Sequence, residues 1–210
     1  MNRTRVIFIA ALLLAGVSGA TTAAGEDEPR SAIFAGGCFW CMQPPFDELG
    51  GVLDTEVGFT GGHVPDPDYD RVVRDRDTGH VEAVRVEYDP DRIDYGQLLY
   101  VFWRNIDPLD DGGQFCDRGE PYQAAIFVAN EEEERQARDS KQALEDSGRF
   151  DEPIVTPIRE RVEFYPADAS HQDYYRENPW RYRFYTRGCG RYERLDEIWG
   201  EEARAGREGY

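Results

Sequence analysis

The chain has 210 residues, with 24 basic and 42 acidic side chains and a formal net charge of −18. Nucleic acid and anionic membranes would repel such a surface, so neither is expected as the main partner. The chain is long enough for one domain whose hydrophobic core does not depend on disulfide bonds.

The first 24 residues are predicted to be a secretory signal peptide. Arg3 and Arg5 precede an apolar run over residues 6–17, and small residues suited to cleavage follow it. The run is too short to span a bilayer comfortably. We therefore expect an exported protein, periplasmic or secreted, without stable membrane association. The rest of the chain divides into a polar linker over residues 25–30 and a single domain over residues 31–210.

Alternating apolar residues and turn residues predict the elements of this domain. In the first half they are strands over residues 31–35, 52–60 and 81–88 and helices over residues 38–49 and 95–105. After an irregular loop over residues 107–121 they are a strand over residues 122–129, a helix capped by Asn130 that ends near Ser147, one or two strands within residues 154–164, and a short helix over residues 195–199.

The alternation of strands and helices favours an α/β fold of the α+β two-layer kind. We expect a central mixed sheet with flanking helices, built around a ferredoxin-like core. An irregular tail, rich in aromatic residues and arginine, is expected from Tyr165 onward.

The segment Gly36-Gly37-Cys38-Phe39-Trp40-Cys41 lies between a predicted strand and a predicted helix. A thiol at a helix N-terminus faces unpaired backbone N–H groups and the positive end of the helix dipole, which favour the thiolate. Phe39 and Trp40 supply apolar surface that suits a methyl group. A Cys-x-x-Cys pair at a helix start is also typical of thioredoxin-like disulfide oxidoreductases, and the pair alone does not distinguish the two functions.

Sequence blocks from about Phe34 to Trp199 resemble the type A peptide methionine sulfoxide reductases, in family order. The blocks are Gly37-Cys38-Phe39-Trp40, Gly58-Phe59-Thr60-Gly61-Gly62, Pro67-Asp68-Tyr69, Thr78-Gly79-His80-Val81-Glu82-Ala83-Val84, Gly113-Gln114-Phe115-Cys116-Asp117-Arg118-Gly119 with Tyr122, and His171-Gln172-Asp173-Tyr174. The resemblance implies reduction of methionine S-sulfoxide, free or in proteins, by one catalytic domain.

The resemblance also implies the roles of the site residues. Cys38 matches the nucleophile that attacks the sulfoxide sulfur, and Glu82 matches the acid, whose pKa an apolar pocket would raise. Tyr69 and Tyr122 match the phenols that bind the oxygen, and Asp117 matches a further polar residue of the pocket. Phe39 and Trp40 match the residues that hold the substrate methyl group. These site residues also have purely structural explanations. Glu82, for example, could face solvent, and Asp117 could cap a turn. His80 and His171 are explained as turn or surface residues and receive no catalytic role.

Attack leaves Cys38 as a sulfenic acid, which a second thiol must convert to a disulfide before an external thioredoxin-like dithiol reduces it. Cys189 is ranked first, because its flanking glycines give a mobile backbone and the segment resembles the family's resolving segment. Cys41 is ranked second, and Cys116 third, as a bystander or later relay.

We expect no metal, no bound cofactor and a monomer. A four-thiolate zinc module is a weaker alternative, since Cys116 and Cys189 lie far apart in the sequence.

Overall fold

The computed structural model describes residues 28–206. The predicted signal peptide and most of the predicted linker lie outside the described residues. Within the described range, no helix combines the length and the apolar character needed to cross a membrane.

A six-stranded sheet lies at the centre of the structure. The strands, in chain order, are β1 (Arg30–Ala35), β2 (Val52–Thr60), β3 (Val81–Tyr88), β4 (Gly113–Gln114), β5 (Asp117–Arg118), β6 (Ala125–Val128), β7 (Ile158–Glu160) and β8 (Phe164–Pro166). The helices are α1 (Phe39–Asp47), α2 (Tyr95–Trp103), α3 (Glu131–Asp146), α4 (Tyr174–Glu177), α5 (Pro179–Gly188) and α6 (Arg191–Trp199). The sheet has the order β7-β6-β1-β3-β2-β8, and β4 and β5 form a separate hairpin.

Four of the strands and two of the helices form a ferredoxin-like core. β1, α1 and β2 are followed by β3, α2 and β6, and the four strands lie side by side in the order β6-β1-β3-β2 with antiparallel neighbours. This is the β-α-β-β-α-β arrangement. The parallel pairing of β6 with β7 makes the sheet mixed. The predicted fold class is confirmed.

Strand alternation determines which side chains face the helices. Successive side chains of a strand point to opposite faces of the sheet. In β3, Val84 and Val86 belong to the main core under the helices, whereas Val81 and Ala83 pack in a cluster on the other face. Glu82 therefore lies on the helix-facing side, near the start of α1.

The C-terminal tail differs from the irregular segment that was predicted, since it contains α4, α5 and α6. Its apolar positions recur at helical spacing, with Tyr182 and Thr186 buried in α5 and Leu195 and Trp199 buried in α6. Exposed arginines and acidic residues between them hide this period in the sequence. Between β2 and β3, where no element was predicted, the chain forms a π-helical turn over Arg71–Asp75 that shows no apolar period of its own.

Phe34→Ala is expected to lower the free energy of unfolding by about 3–5 kcal/mol, because it removes a fully buried ring from the core. The ring of Phe34 is stacked against those of Phe46, Tyr95 and Phe102. Urea denaturation measures the change. Leu53→Ala, at a half-exposed position, is the control and should stay within about 0.5 kcal/mol of wild type. Equal losses in both variants would contradict this account of the core.

Candidate active site

Cys38 lies at the junction between β1 and α1, where it is the N-cap residue of the helix. Its carbonyl oxygen accepts hydrogen bonds from the backbone N–H of Cys41 at 3.0 Å and of Met42 at 3.3 Å. The preceding Gly37 has a φ of +82°, and a Cβ atom there would lie 2.5 Å from Cβ of Gln114. Glycine is therefore required for the turn that presents the Cys38 side chain at the helix start.

Glu82 reaches the same helix start from β3. One of its carboxyl oxygens, Oε2, accepts a hydrogen bond from the backbone N–H of Phe39 at 3.0 Å, and the residue is 1% exposed. Burial raises the pKa of Glu82 well above its usual value, and the Phe39 N–H only partly offsets this. The protonated form is favoured, with one oxygen accepting from the helix and the other able to carry the proton.

Two phenols lie beside this carboxyl. Burial raises the pKa of Tyr69 and of Tyr122, and the nearby Glu82 carboxyl raises both further. A hydrogen bond from Tyr122 to Tyr69 opposes part of the shift at Tyr69. Both hydroxyls therefore remain protonated and can donate hydrogen bonds without adding charge to the site.

Asp117 is held by α5. The hydroxyl of Tyr185 donates a short hydrogen bond to Oδ2 of Asp117. Burial raises the pKa of Asp117, whereas the Tyr185 hydroxyl and the positive charge of Arg191 lower it. Tyr185 was not predicted as a site residue. The spacing of Tyr182, Tyr185 and Cys189 at i, i+3 and i+7 is a helix signal that could have revealed it.

These side chains enclose a cavity of about 90 Å³. Its lining consists of Cys38, Phe39, Trp40, Tyr69, Glu82, Asp117, Tyr122 and Tyr185. The structure thus brings together every residue that the sequence assigned to attack, proton donation and methyl binding. In the apolar wall, the Trp40 ring stacks on that of Tyr174 with centroids 3.9 Å apart.

The two histidines lie outside the cavity lining. His80 is buried, and its Nδ1 accepts a hydrogen bond from the backbone N–H of Gly62 while Nε2 lies 2.7 Å from the carbonyl oxygen of Val64. His171 stacks on the ring of Tyr69 at 4.4 Å. Both contacts stabilise the local structure around the site.

The four cysteines form two pairs in different oxidation states. Cys116 and Cys189 are joined by a disulfide bond, with Cα atoms 5.0 Å apart. Cys38 and Cys41 remain as buried thiols, and their side chains are hydrogen-bonded to each other. The predicted pairing of Cys38 with Cys189 is therefore not the pairing in the structure. The four-thiolate zinc alternative also fails here, because two of its sulfurs are bonded to each other.

One electrostatic prediction is wrong for the resting site. The sequence favoured the thiolate of Cys38, but burial raises the pKa of this thiol well above its usual value, and the hydrogen bond with Cys41 raises it further. The carboxyl groups of Glu82 and Asp117, when ionised, act in the same direction. The protonated thiol of Cys38 is therefore favoured over the thiolate in the resting site.

A buried thiol that shares a small cavity with a protonated carboxyl and two phenols defines the class of protein, a thiol-dependent oxidoreductase that acts on a small oxygen-bearing group. A family model described as peptide methionine sulfoxide reductase matches residues 30–203. The chain belongs to this family, as the motif blocks predicted, and it reduces methionine sulfoxide to methionine. The motif-based alternative, a thioredoxin-like disulfide oxidoreductase, is set aside.

Relatives and solved structures agree with this assignment. The peptide methionine sulfoxide reductase of Bacillus licheniformis is 50% identical over 171 residues, which are 81% of this chain and 94% of that protein. The Bacillus subtilis protein of the same name is 48% identical over 175 residues, 83% of this chain and 98% of that protein. Methionine sulfoxide reductase A of Corynebacterium diphtheriae superimposes with a TM-score of 0.64 at 29% identity, covering 72% of this chain and 76% of that one. Reduced Mxr1 from Saccharomyces cerevisiae gives a TM-score of 0.67 at 26% identity, covering 72% of this chain and 87% of that one.

Glu82→Gln is expected to change how folding stability depends on pH. The pKa of Glu82 is raised in the folded state, so the protonated carboxyl contributes to the free energy of unfolding. This contribution is complete below the usual glutamate pKa of about 4.3 and is lost as pH rises through the raised pKa. Glutamine stays neutral, so the unfolding free energy of the variant minus that of wild type should increase as pH rises above the usual glutamate pKa of about 4.3.

Urea unfolding at several pH values measures this difference. Glu87→Gln replaces an exposed carboxyl on the same strand and controls for the loss of one charge. A difference between Glu82→Gln and wild type that stays constant with pH would show that Glu82 is ionised in the folded protein.

Proposed function

We propose that the cavity binds the methyl sulfoxide group of methionine S-sulfoxide and that Cys38 attacks its sulfur. One observation carries this proposal: the Cys38 thiol and the buried Glu82 carboxyl line the same cavity. The backbone N–H that binds the Glu82 carboxyl belongs to Phe39, the residue that follows Cys38. A thiol and an acid on a common cavity can act on the two ends of an S=O bond. The acid supplies a proton to the oxygen as the thiol bonds to the sulfur.

The cavity lining fits a small group that is apolar at one end and polar at the other. Phe39 is buried, and its ring packs against Phe59 with centroids 5.8 Å apart. With Trp40 it forms the apolar side suited to the methyl group, whereas Tyr69 and Tyr122 supply hydroxyls for the oxygen. This asymmetry orients the sulfoxide, and the orientation selects one epimer at the sulfur.

The chemical step moves one oxygen atom from methionine to Cys38. The Cys38 sulfur forms a bond to the sulfoxide sulfur while the sulfoxide oxygen receives a proton from Glu82, with Tyr69 and Tyr122 donating hydrogen bonds to it. The thiol proton of Cys38 restores the acid. The hydroxyl then bonds to the Cys38 sulfur as the substrate sulfur–oxygen bond and the new sulfur–sulfur bond break. The products are methionine and a sulfenic acid on Cys38, so the methionine sulfur is reduced by two electrons and the cysteine sulfur is oxidised by two.

We propose that Cys41 is the thiol that resolves this intermediate. Cys41 already contacts Cys38 through a side-chain hydrogen bond, whereas Cys189 is bonded to Cys116. Condensation of the sulfenic acid with the Cys41 thiol gives a Cys38–Cys41 disulfide and water. This order replaces the ranking from the sequence, which placed Cys189 first. A thioredoxin-type dithiol, and no bound cofactor, then supplies the two electrons for the next turnover.

Export is proposed from the sequence alone. Arg3, Arg5 and the apolar run over residues 6–17 support a cleaved signal peptide and a periplasmic or secreted protein. The mass of the purified mature chain tests the cleavage, because loss of residues 1–24 leaves a defined N-terminus. An intact N-terminus in the cytoplasmic fraction would contradict it.

Turnover of separated sulfoxide epimers tests the central assignment. With dithiothreitol as reductant, wild type should convert methionine S-sulfoxide and leave the R epimer unchanged, because only one epimer places its methyl group against the aromatic wall and its oxygen at the donors. Cys38→Ser should convert neither, since serine is a far weaker nucleophile toward sulfur. Methionine formation is followed by chromatography. Equal turnover of both epimers, or activity in Cys38→Ser, would refute the assignment.

A single-turnover experiment tests which thiol resolves. Fully reduced protein receives one equivalent of substrate, and the products are alkylated and mapped by mass spectrometry. Cys41→Ser should accumulate a sulfenic acid on Cys38 that dimedone traps, whereas Cys189→Ser should still form the Cys38–Cys41 disulfide. The reverse pattern would restore the sequence-based ranking of Cys189.

A further inference from the structure

Three side chains of types that bind metal ions lie together beside the active-site cavity. Sγ of Cys116, Sγ of Cys189 and a carboxyl oxygen of Asp117 are all within 4.8 Å of one another. Thiolate sulfur and carboxylate oxygen are both ligands that Zn²⁺ accepts, and many zinc sites have three protein ligands and a water. In the structure the two sulfurs are joined in a disulfide bond, so this set becomes a ligand set only when that bond is reduced.

Reduction moves the two sulfurs in the direction that a metal requires. Two thiols cannot stay at the distance of a covalent bond, so they separate once the bond is broken. Ligands held about 2.3 Å from a tetrahedral zinc ion are roughly 3.8 Å apart, which is within the span of the three atoms. Gly188 and Gly190 flank Cys189, and a Cβ atom at either glycine would meet no atom within 4 Å. The turn at Cys189 therefore has open space for this small displacement.

Hydrogen bonds around the three donor atoms suit anionic ligands. The backbone N–H of Cys116 donates to Sγ of Cys189 at 3.2 Å, and such a contact stabilises a thiolate more than a neutral sulfur. The Tyr185 hydroxyl donates to Oδ2 of Asp117 and so orients the carboxyl group. Carboxylates that bind metals are usually held by an outer contact of this kind. Cys116 is exposed, which gives a cation a path from solvent.

A buried positive charge lies near these ligands. Two thiolates and a carboxylate exceed the charge of a divalent cation, so a bound cation leaves one negative charge at the site. Arg191 is 2% exposed, and its guanidinium donates to the carbonyl oxygen of Asn105 at 2.6 Å and to Sδ of Met42 at 3.1 Å. These acceptors are uncharged, and the positive charge acts on Asp117. Arg191 therefore offsets the charge that the three ligands leave in excess.

We propose that Cys116, Asp117 and Cys189 bind a divalent cation of the zinc class when the Cys116–Cys189 disulfide is reduced. Water completes the coordination. Oxidation of the two thiolates to the disulfide releases the cation, so occupancy of the site follows the oxidation state of the chain. The site differs from the four-thiolate module considered for the sequence, since it uses neither Cys38 nor Cys41. It therefore does not depend on the proposed attack by Cys38.

Formation of the site balances in two steps. A dithiol gives two electrons and two protons to the disulfide, so that Cys116 and Cys189 become thiols and the dithiol becomes a disulfide. The cation then bonds to both sulfurs, and the two thiol protons go to water. The oxidation state of the cation does not change. In the reverse direction a disulfide accepts two electrons from the thiolates of Cys116 and Cys189, takes up two protons, and the cation leaves.

Zinc binding to the full chain in two oxidation states tests the proposal without any sulfoxide present. One sample is reduced with a phosphine and desalted in the absence of oxygen, and the other keeps its disulfide. Competition with a chromophoric chelator gives the affinity of each sample for Zn²⁺. The oxidised chain should bind Zn²⁺ at least about 100-fold more weakly than the reduced chain, because the thiolate is the form of cysteine that binds metals. The two samples have the same sequence, so no substitution complicates this comparison.

Two double variants separate this site from the other cysteine pair. Reduced C38S/C41S should keep the zinc affinity of wild type, whereas reduced C116S/C189S should lose it. Co²⁺ in place of Zn²⁺ reports the ligands, because its charge-transfer absorption in the near ultraviolet rises with the number of thiolates. Wild type and C38S/C41S should give the same spectrum, that of a two-thiolate site. Circular dichroism shows whether each reduced variant is folded.

Single variants test the carboxylate and the group that orients it. Asp117→Asn and Tyr185→Phe should each weaken zinc binding to the reduced chain about tenfold, the first by removing a charged ligand and the second by removing its hydrogen bond. Asp111→Asn removes an exposed carboxylate from the same loop and is the matched control. Its zinc affinity should equal that of wild type.

Several outcomes would overturn the proposal. These are equal zinc affinity in oxidised and reduced wild type, full binding by reduced C116S/C189S, loss of binding in C38S/C41S, a four-thiolate cobalt spectrum, or unchanged affinity in Asp117→Asn. Because no sulfoxide is used, failure of sulfoxide turnover would refute the proposed function and leave this result standing.

Discussion

The hydrogen bond between the backbone N–H of Phe39 and the Glu82 carboxyl is the contact on which the site depends. The first N–H groups of a helix have no partner within the helix, and one of them here finds a buried carboxyl from the central strand. The contact fixes the start of α1 against β3, and so fixes Cys38 relative to the Glu82 carboxyl. The sheet register makes this possible, because Glu82 is paired with Phe59 in β2 at the helix-facing side of the sheet.

A consequence of this arrangement is a cavity whose titratable groups are mostly neutral at rest. Burial raises the pKa of Cys38, Glu82 and both phenols, so each favours its protonated form. A neutral site suits a sulfoxide, which is itself an uncharged dipole and becomes charged only as the sulfur is attacked. In the proposed reaction, the donors are in place before charge develops and need no reorganisation at that moment. The buried thiol is also protected from unselective oxidation, because reactivity follows the exposed thiolate.

The C-terminal helices complete the site from the opposite side. Two adjacent residues at the start of β5, Cys116 and Asp117, are both bonded to the α5 region. Cys116 forms a disulfide bond with Cys189, and Asp117 accepts a hydrogen bond from the Tyr185 hydroxyl. Arg191 in α6 adds a third connection, with its guanidinium 4.5 Å from the centre of the Phe115 ring. The segment that carries one wall of the cavity is therefore positioned by elements more than 60 residues later in the chain.

The sequence by itself determined the fold class and most of the cavity lining. β2 and β3 have the predicted bounds, because alternating apolar residues report directly on a half-buried strand. The motif blocks identified the residues that line the cavity except Tyr185, and the Cys38 motif located the helix start. Local patterns suffice for these features, since each depends on residues that are close in the chain.

Only the tertiary structure decided the cysteine pairing, the role of Tyr185 and the protonation of Cys38. A disulfide depends on the distance between two sulfurs, and Cys116 and Cys189 are brought together by the packing of α5 against the β5 segment. A pKa depends on how much water surrounds the group, and the depth at which Cys38 is buried is set by strands and helices from the whole domain. Neither quantity is a property of a short stretch of sequence.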